Sequence, residues 1–280
     1  NGCAMPELPE VEVVRLGLER FLPDRTVIDY RSNGKPLRLC SETQDMRRLL
    51  IGSRFLTVGR RAKYLLLELD NRSLLVIHLG MTGRLGLFPE KTPVLTHDHR
   101  RWLLDNGLEL RFNDARRFGS LLIFPEETRA TAERELFAGI GLEPFAPDCT
   151  ADYMRAKAAG RTLPVKQFLM DGRAVAGIGN IYANEALFAA GIRPDRPAGR
   201  ISRKKWLLLL QEIIRILRHA IACGGSSISD FLGTDGKGGY FQVHFSVYGR
   251  AGQACPRCFK PIKAIRLAGR STFFCASCQR

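Results

Sequence analysis

Two groups of residues in this 280-residue chain have types and spacings suited to chemistry. Near one end, Cys255, Cys258, Cys275 and Cys278 form C-x2-C-x16-C-x2-C. Two thiolate pairs at this spacing close a tetrahedron around one Zn²⁺, and four protein ligands leave no open position, so the metal is structural rather than catalytic. So short a module buries little apolar surface, and zinc supplies most of its folding free energy, about 10–16 kcal/mol in comparable finger peptides. At the other end, Met5-Pro6-Glu7-Leu8-Pro9-Glu10-Val11-Glu12 sets two prolines and three carboxylates ahead of a helical pattern. Proline at a helix entry and acids on the positive end of its dipole account for Pro9, Glu10 and Glu12. They say nothing about Pro6-Glu7.

The elements that must position these groups are readable from periodicity. Val11, Val14, Leu18 and Phe21 recur at helical spacing over Glu10–Leu22, and Pro23 stops the helix. Short β-rich runs follow at Phe55–Val58, Tyr64–Leu69, Leu74–Leu79, Trp102–Leu104, Leu108–Phe112 and Leu121–Phe124, separated by turn residues such as Asp105-Asn106-Gly107. The expected fold is α+β, with an N-terminal helix and β-sandwich over 5–138. A short helix at Ala132–Ala138 and a Gly- and Pro-containing linker over 139–150 come next. Helices are then expected at Ala151–Ala159, Val165–Met170, Ile181–Ala190 and Ser202–Cys223, with Ser202 as N-cap and Gly224-Gly225 as stop. They make a second, helical domain over 151–232. Ser226–Phe245 is Gly-rich and reads as a loop, and the cysteine module occupies 246–280 as a β-hairpin.

Charge narrows the partners. Lys and Arg number 43 against 28 Asp and Glu, a formal charge of +15. Such a surplus favours a polyanion, with nucleic acid first. From Gly236 to Arg280 there are eight basic residues and no acidic one, which fits a phosphate-facing surface. No apolar run approaches 18 residues, which excludes a spanning helix, and the first six residues lack a secretory pattern. With Cys3, Cys40, Cys149 and Cys223 scattered, the expectation is a reducing, cytoplasmic compartment rather than a disulfide framework.

The chain resembles the bacterial formamidopyrimidine-DNA glycosylases and their endonuclease VIII relatives from Met5 to Gln279. The resemblance rests on PELPEVE (Pro6–Glu12), RRAKYLLLEL (Arg60–Leu69), HLGMTG (His78–Gly83), HDH (His97–His99), ARRFG (Ala115–Gly119), GIGNIYANE (Gly177–Glu185), DGKGGYF (Asp235–Phe241), VYGR (Val247–Arg250) and GRSTFFCASC (Gly269–Cys278). It implies a helix–two-turn–helix domain, a zinc finger, and a monomeric, nucleoid-associated enzyme acting on damaged duplex DNA.

Residue roles follow from the same resemblance. Pro6, once N-terminal, is implied to attack the deoxyribose C1′. An α-amino group, with pKa about 7.7–8.0, is partly neutral near pH 7 where lysine is not. Glu7 matches the general acid that opens the sugar ring. Lys63 matches the lysine at the lesion phosphate that donates a proton in β-elimination, and Arg270 the arginine that grips lesion phosphates and assists δ-elimination. Asn180 matches a phosphate clamp; His78, His97 and Arg161 match DNA-contact positions. Met81, Arg116 and Phe118 match the trio that fills the hole left by a flipped base. Without the resemblance, Met81 and Phe118 read as ordinary core residues. Ala115 stands where the family often has proline, and a local loop effect is expected.

Leu8 and the complete trio place the chain nearer the oxidised-purine branch, with 8-oxoguanine and formamidopyrimidines as expected substrates. The alternatives are the oxidised-pyrimidine specificity of the sister branch, an RNA-binding zinc protein, and a catalytically silent DNA binder. The last would follow if Asn1-Gly2-Cys3-Ala4 were retained, since Pro6 nitrogen would then be an amide. The expected natural start is Met5, whose removal frees Pro6.

Overall fold

A computed structural model describes residues 5–224 and 245–280. Asn1–Ala4, and the Gly-rich segment expected as a loop except for Phe245, lie outside the described residues. The chain divides into two compact units, with the boundary between Ala138 and Gly139.

In the first unit, α1 (Leu8–Glu19) buries Val11, Val14 and Leu18 on one face. It begins two residues earlier than periodicity suggests, because Pro9 fits the first turn and Glu7 caps it. Two antiparallel-rich sheets follow. One holds β1 (Val27–Ser32), β7 (Asp98–Leu104), β8 (Leu108–Asp114) and β6 (Gly83–Pro89), in that order. The other runs β2 (Leu39–Cys40), β9 (Ser120–Phe124), β5 (Leu74–His78), β4 (Tyr64–Leu69), β3 (Phe55–Arg61). Leu65, Leu67 and Leu69 alternate inward from β4, as a half-buried strand requires. They join Trp102, Leu110 and Phe112 of the facing sheet, and Val11, Val14 and Leu18 of α1, in one core. This is the expected β-sandwich with its helix.

Several elements escaped the periodicity reading. The first strand, VIDYRS, buries only Val27 and Tyr30 and has no strict alternation. A short helix α2 (Thr43–Leu50) buries only Met46, Leu49 and Leu50. β6 contains two glycines and a proline. The helix expected at Ala132–Ala138 is α3, Glu126–Phe137. It has no buried residue and is held by ion pairs, Arg129 with Glu68 and Glu133 and Arg72 with Glu126, and by Phe137 packing edge-on to Tyr64.

The second unit contains α4 (Ala151–Ala158), α5 (Val165–Met170), α6 (Asn180–Ala189) and α7 (Arg203–Ala222). Thr150 Oγ1 caps α4, accepting the Tyr153 N–H at 3.1 Å. In α7, Trp206, Leu209, Leu210, Ile213, Leu217 and Ala220 form the buried stripe, and Gly224 follows it in the left-handed region at φ 81°. The segment 139–150 is tied to this unit: Gly141 N–H donates to Gly172 O, and Leu142 bridges Val175. The chain ends in the hairpin β10 (Lys263–Leu267) and β11 (Arg270–Phe274).

Candidate functional site

Glu7 is the N-cap of α1 and is 2% exposed, with Pro6 half-buried immediately before it. The Glu7 N–H donates to Glu10 Oε2 at 2.9 Å, and the Glu7 side chain faces the Glu10 backbone N–H in the reciprocal capping-box arrangement. The helix entry therefore fixes where the Pro6-Glu7 pair points.

The same helix holds the turn that carries Lys63. Glu12 Oε2 accepts Arg60 Nε at 2.6 Å, and Arg60 Nη1 donates to Ala62 O at 2.8 Å. Ala62 sits at φ 52°, a left-handed conformation that costs a non-glycine residue about 1–2 kcal/mol. The Arg60 clamp holds that strained turn between β3 and β4. One strand over, His78 lies opposite Tyr64, their rings 4.8 Å apart. Burial, then the nearby Lys63 and Arg38 charges, push the His78 imidazole down to about 4. Its Nδ1 accepts the Gly80 N–H at 3.0 Å, so the neutral ring carries its proton on Nε2.

Met81, Arg116 and Phe118 belong to two loops that one buried carboxylate knots together. Asp114, 0% exposed, accepts Thr82 Oγ1–H and the Arg116 N–H on one oxygen, and the Gly119 N–H at 2.8 Å on the other. Thr82 Oγ1 also accepts the Arg116 N–H, at 3.1 Å. The backbones meet so closely that a Cβ on Gly80 would lie 2.5 Å from the Phe118 carbonyl carbon. The Arg116 guanidinium stacks 4.7 Å over the Phe118 ring, and Phe118 is 43% exposed. Phe118 is not core, and Met81 is half-buried in the turn 80–82. His97 is exposed, with its carbonyl bonded to the Asp114 N–H.

In the second unit, Gly177 at φ 81° turns the chain into α6, and Asn180 opens that helix after the Gly179 N-cap. Asn180 is half-buried, while almost every residue behind it on α6 is buried. Arg161 is exposed just beyond α4. Arg270 is exposed at the start of β11, opposite Leu267. Lys166, 1% exposed on α5, ties that strand down by donating to Ser271 O at 2.9 Å and Thr272 Oγ1 at 2.7 Å. Glu185 on α6 accepts the N–H groups of Ser246, Val247 and Tyr248 at 2.8–2.9 Å. It anchors the chain as it enters the cysteine module.

The four thiols of Cys255, Cys258, Cys275 and Cys278 lie within 4.8 Å of one another. Sγ separations are 3.8 Å for Cys255–Cys278 and 3.4 Å for Cys258–Cys275. Zn–S bonds of about 2.3 Å arranged tetrahedrally need sulfurs about 3.8 Å apart, so the donor set fits Zn²⁺. Arg257 joins the knuckle to α6 by donating to Phe188 O and Ala189 O at 3.1 and 2.9 Å.

Three family models match the chain: the formamidopyrimidine-DNA glycosylase N-terminal domain over 5–121, the formamidopyrimidine-DNA glycosylase H2TH domain over 140–232, and the zinc finger found in FPG and IleRS over 252–280. The chain belongs to the formamidopyrimidine-DNA glycosylase family. Family members from Acidithiobacillus ferrooxidans and Stutzerimonas stutzeri are 44% and 46% identical to it, each over 99% of this chain and all of the relative. The Lactococcus lactis Fpg (MutM) in complex with DNA containing N7-benzyl-Fapy-dG matches with a TM-score of 0.89 at 34% identity, covering 98% of this chain and 100% of that one. A complex of the same Fpg with abasic-site DNA matches at 0.88 and 33%. The chain is thus a base-excision-repair DNA glycosylase with AP lyase activity, and its cysteine module holds one structural zinc. Among the described residues, no helix is long and apolar enough to cross a membrane.

Within this family site, Asp114, Thr82 and Arg60 escaped the sequence reading, and Glu12 reads there only as an acid on the helix dipole, because each has a partner distant in the chain. Asp114 left one clue: a lone acid between the strand LELRFN and the basic ARRFG.

Proposed function

We propose that the chain excises oxidised purines, 8-oxoguanine and formamidopyrimidines, from duplex DNA and then cuts the strand by β,δ-elimination. The Pro6 nitrogen, as a free secondary amine, attacks C1′ while the C1′–base bond breaks. Glu7 donates a proton to the ring oxygen as the sugar opens to an iminium. The iminium acidifies C2′–H, so loss of that proton expels the 3′ phosphate. Lys63 gives a proton to the departing 3′ phosphate in the β step; in the δ step loss of the C4′ proton expels the 5′ phosphate, a departure that Arg270 assists through its grip on the lesion phosphates. Asn180, His78, His97 and Arg161 contact DNA around the lesion; His78 does so through its neutral Nε2–H. The enzyme acts as a monomer, and a DNA substrate places it at the nucleoid.

The observation that carries the purine reading is the knotted pair of loops presenting Met81, Arg116 and Phe118, with Arg116 over an exposed Phe118. A wedge and a planar donor suit the vacancy beside an extruded base and its orphaned partner. Lactococcus lactis Fpg also binds DNA containing an oxidized pyrimidine, which supports oxidised pyrimidines as a second reading. Excision rates on duplexes carrying 8-oxoguanine opposite cytosine, a formamidopyrimidine or thymine glycol separate the two. The purine lesions are expected to be the faster substrates; strong excision of thymine glycol with little of 8-oxoguanine reverses the assignment.

A further inference from the structure

The helix that opens with Asn180 and the strand that opens with Arg270 are joined by one buried side chain. Asn184 lies one turn after Asn180 on α6 and is 1% exposed. Its Oδ1 accepts the Phe273 N–H of β11 at 2.8 Å. That donor settles which way the amide faces, since an NH2 group cannot accept. Nδ2 is therefore turned to the start of α6, donating to Asn180 O at 2.6 Å and standing 3.5 Å from Asn180 Oδ1. An Asn180 amide with its oxygen drawn toward Asn184 presents Nδ2 on its opposite side, and Nδ2 is the donor a phosphate needs. A buried amide satisfied at both ends fixes the two elements it joins, because breaking either bond strands a polar group.

We propose that Asn184 is a positioning residue for the phosphate grip. It couples Asn180 on α6 to the strand that carries Arg270, so the two contacts are set as one. The inference rests on the reading of Asn180 and Arg270 as phosphate contacts. Binding of the zinc-loaded full chain to a duplex with a stable abasic-site analogue tests it, with Asn180→Ala, Asn184→Leu, Asn184→Asp and the double variant Asn180→Ala/Asn184→Leu. Asn180→Ala and Asn184→Leu are each expected to weaken binding about five- to tenfold, and the double variant little further. Asn184→Leu is also expected to raise the share of β- over δ-elimination product, because the Arg270 strand is mis-set. Asn184→Asp keeps the acceptor for Phe273 and loses the donor to Asn180. It is expected to retain one zinc per chain and still bind weakly. Effects of the two single variants that multiply, or wild-type binding by Asn184→Asp, would overturn the coupling. No loss of affinity in Asn180→Ala alone would show that the phosphate reading itself fails, and the inference with it.

Discussion

His78 enters the fold neutral. Its imidazole is held down to about 4 by burial and by the adjacent Lys63 and Arg38, against 6.5 in the unfolded chain. Between those values the unfolded chain binds a proton that the folded chain refuses. The contribution is therefore fully present above pH 6.5 and is lost as pH falls toward 4, by roughly 3 kcal/mol. Melting temperature against pH is expected to drop less steeply over this window in His78→Gln than in the unaltered chain; equal slopes would refute the assignment. A second residue-scale strain sits in the zinc knuckle, where Phe259 takes φ 62° and is 80% exposed. A phenylalanine gains nothing from packing there and bears the left-handed cost. Phe259→Gly is expected to stabilise the zinc module by about 1 kcal/mol, measured as slower zinc release to a competing chelator.

At the scale of elements, the legible parts were those with strong local signals. Tyr64–Leu69 and Val165–Met170 match the observed β4 and α5, because their apolar patterns are unbroken and turn residues bound them. The cysteine spacing specified its own tetrahedron. β1, β6 and α2 were not legible because tertiary contacts, not period, decide them. The motifs named Met81, Arg116 and Phe118, but not that a carboxylate 32 residues from Thr82 binds their loops into one surface. Asp114→Ala removes three bonds to a buried charged acceptor. It is expected to cost about 3 kcal/mol by denaturant unfolding, and to lower lesion excision more than abasic-site binding. Arg60→Ala releases the Ala62 carbonyl and breaks the Glu12 ion pair, loosening the Lys63 turn. The expected result is a strand-cleavage rate about tenfold lower, with glycosidic cleavage less affected.

Across the whole molecule, charge and metal set DNA affinity. With a surplus of +15, and with Lys63, Arg161 and Arg270 as the cations read as DNA contacts, binding is expected to weaken by about 40-fold or more when salt rises from about 50 to about 200 mM. A shallow slope would place recognition elsewhere than the phosphates. Among the described residues, the zinc module packs a small apolar cluster of Phe188, Val247, Ile262 and the cysteines Cys255 and Cys275, with Phe273 against it. Chelation is expected to unfold it and abolish DNA binding, while the β-sandwich, with its separate core, keeps its circular-dichroism signal.

The proposed nucleophile is the Pro6 nitrogen when it is an amine. Borohydride trapping on duplex DNA containing 8-oxoguanine tests this directly. A chain beginning at Pro6 is expected to form a covalent adduct that peptide mapping places on Pro6, and a chain retaining the residues before it to form none. An adduct mapped to Lys63 or another lysine, or no adduct from the Pro6-initiated chain, would contradict the account.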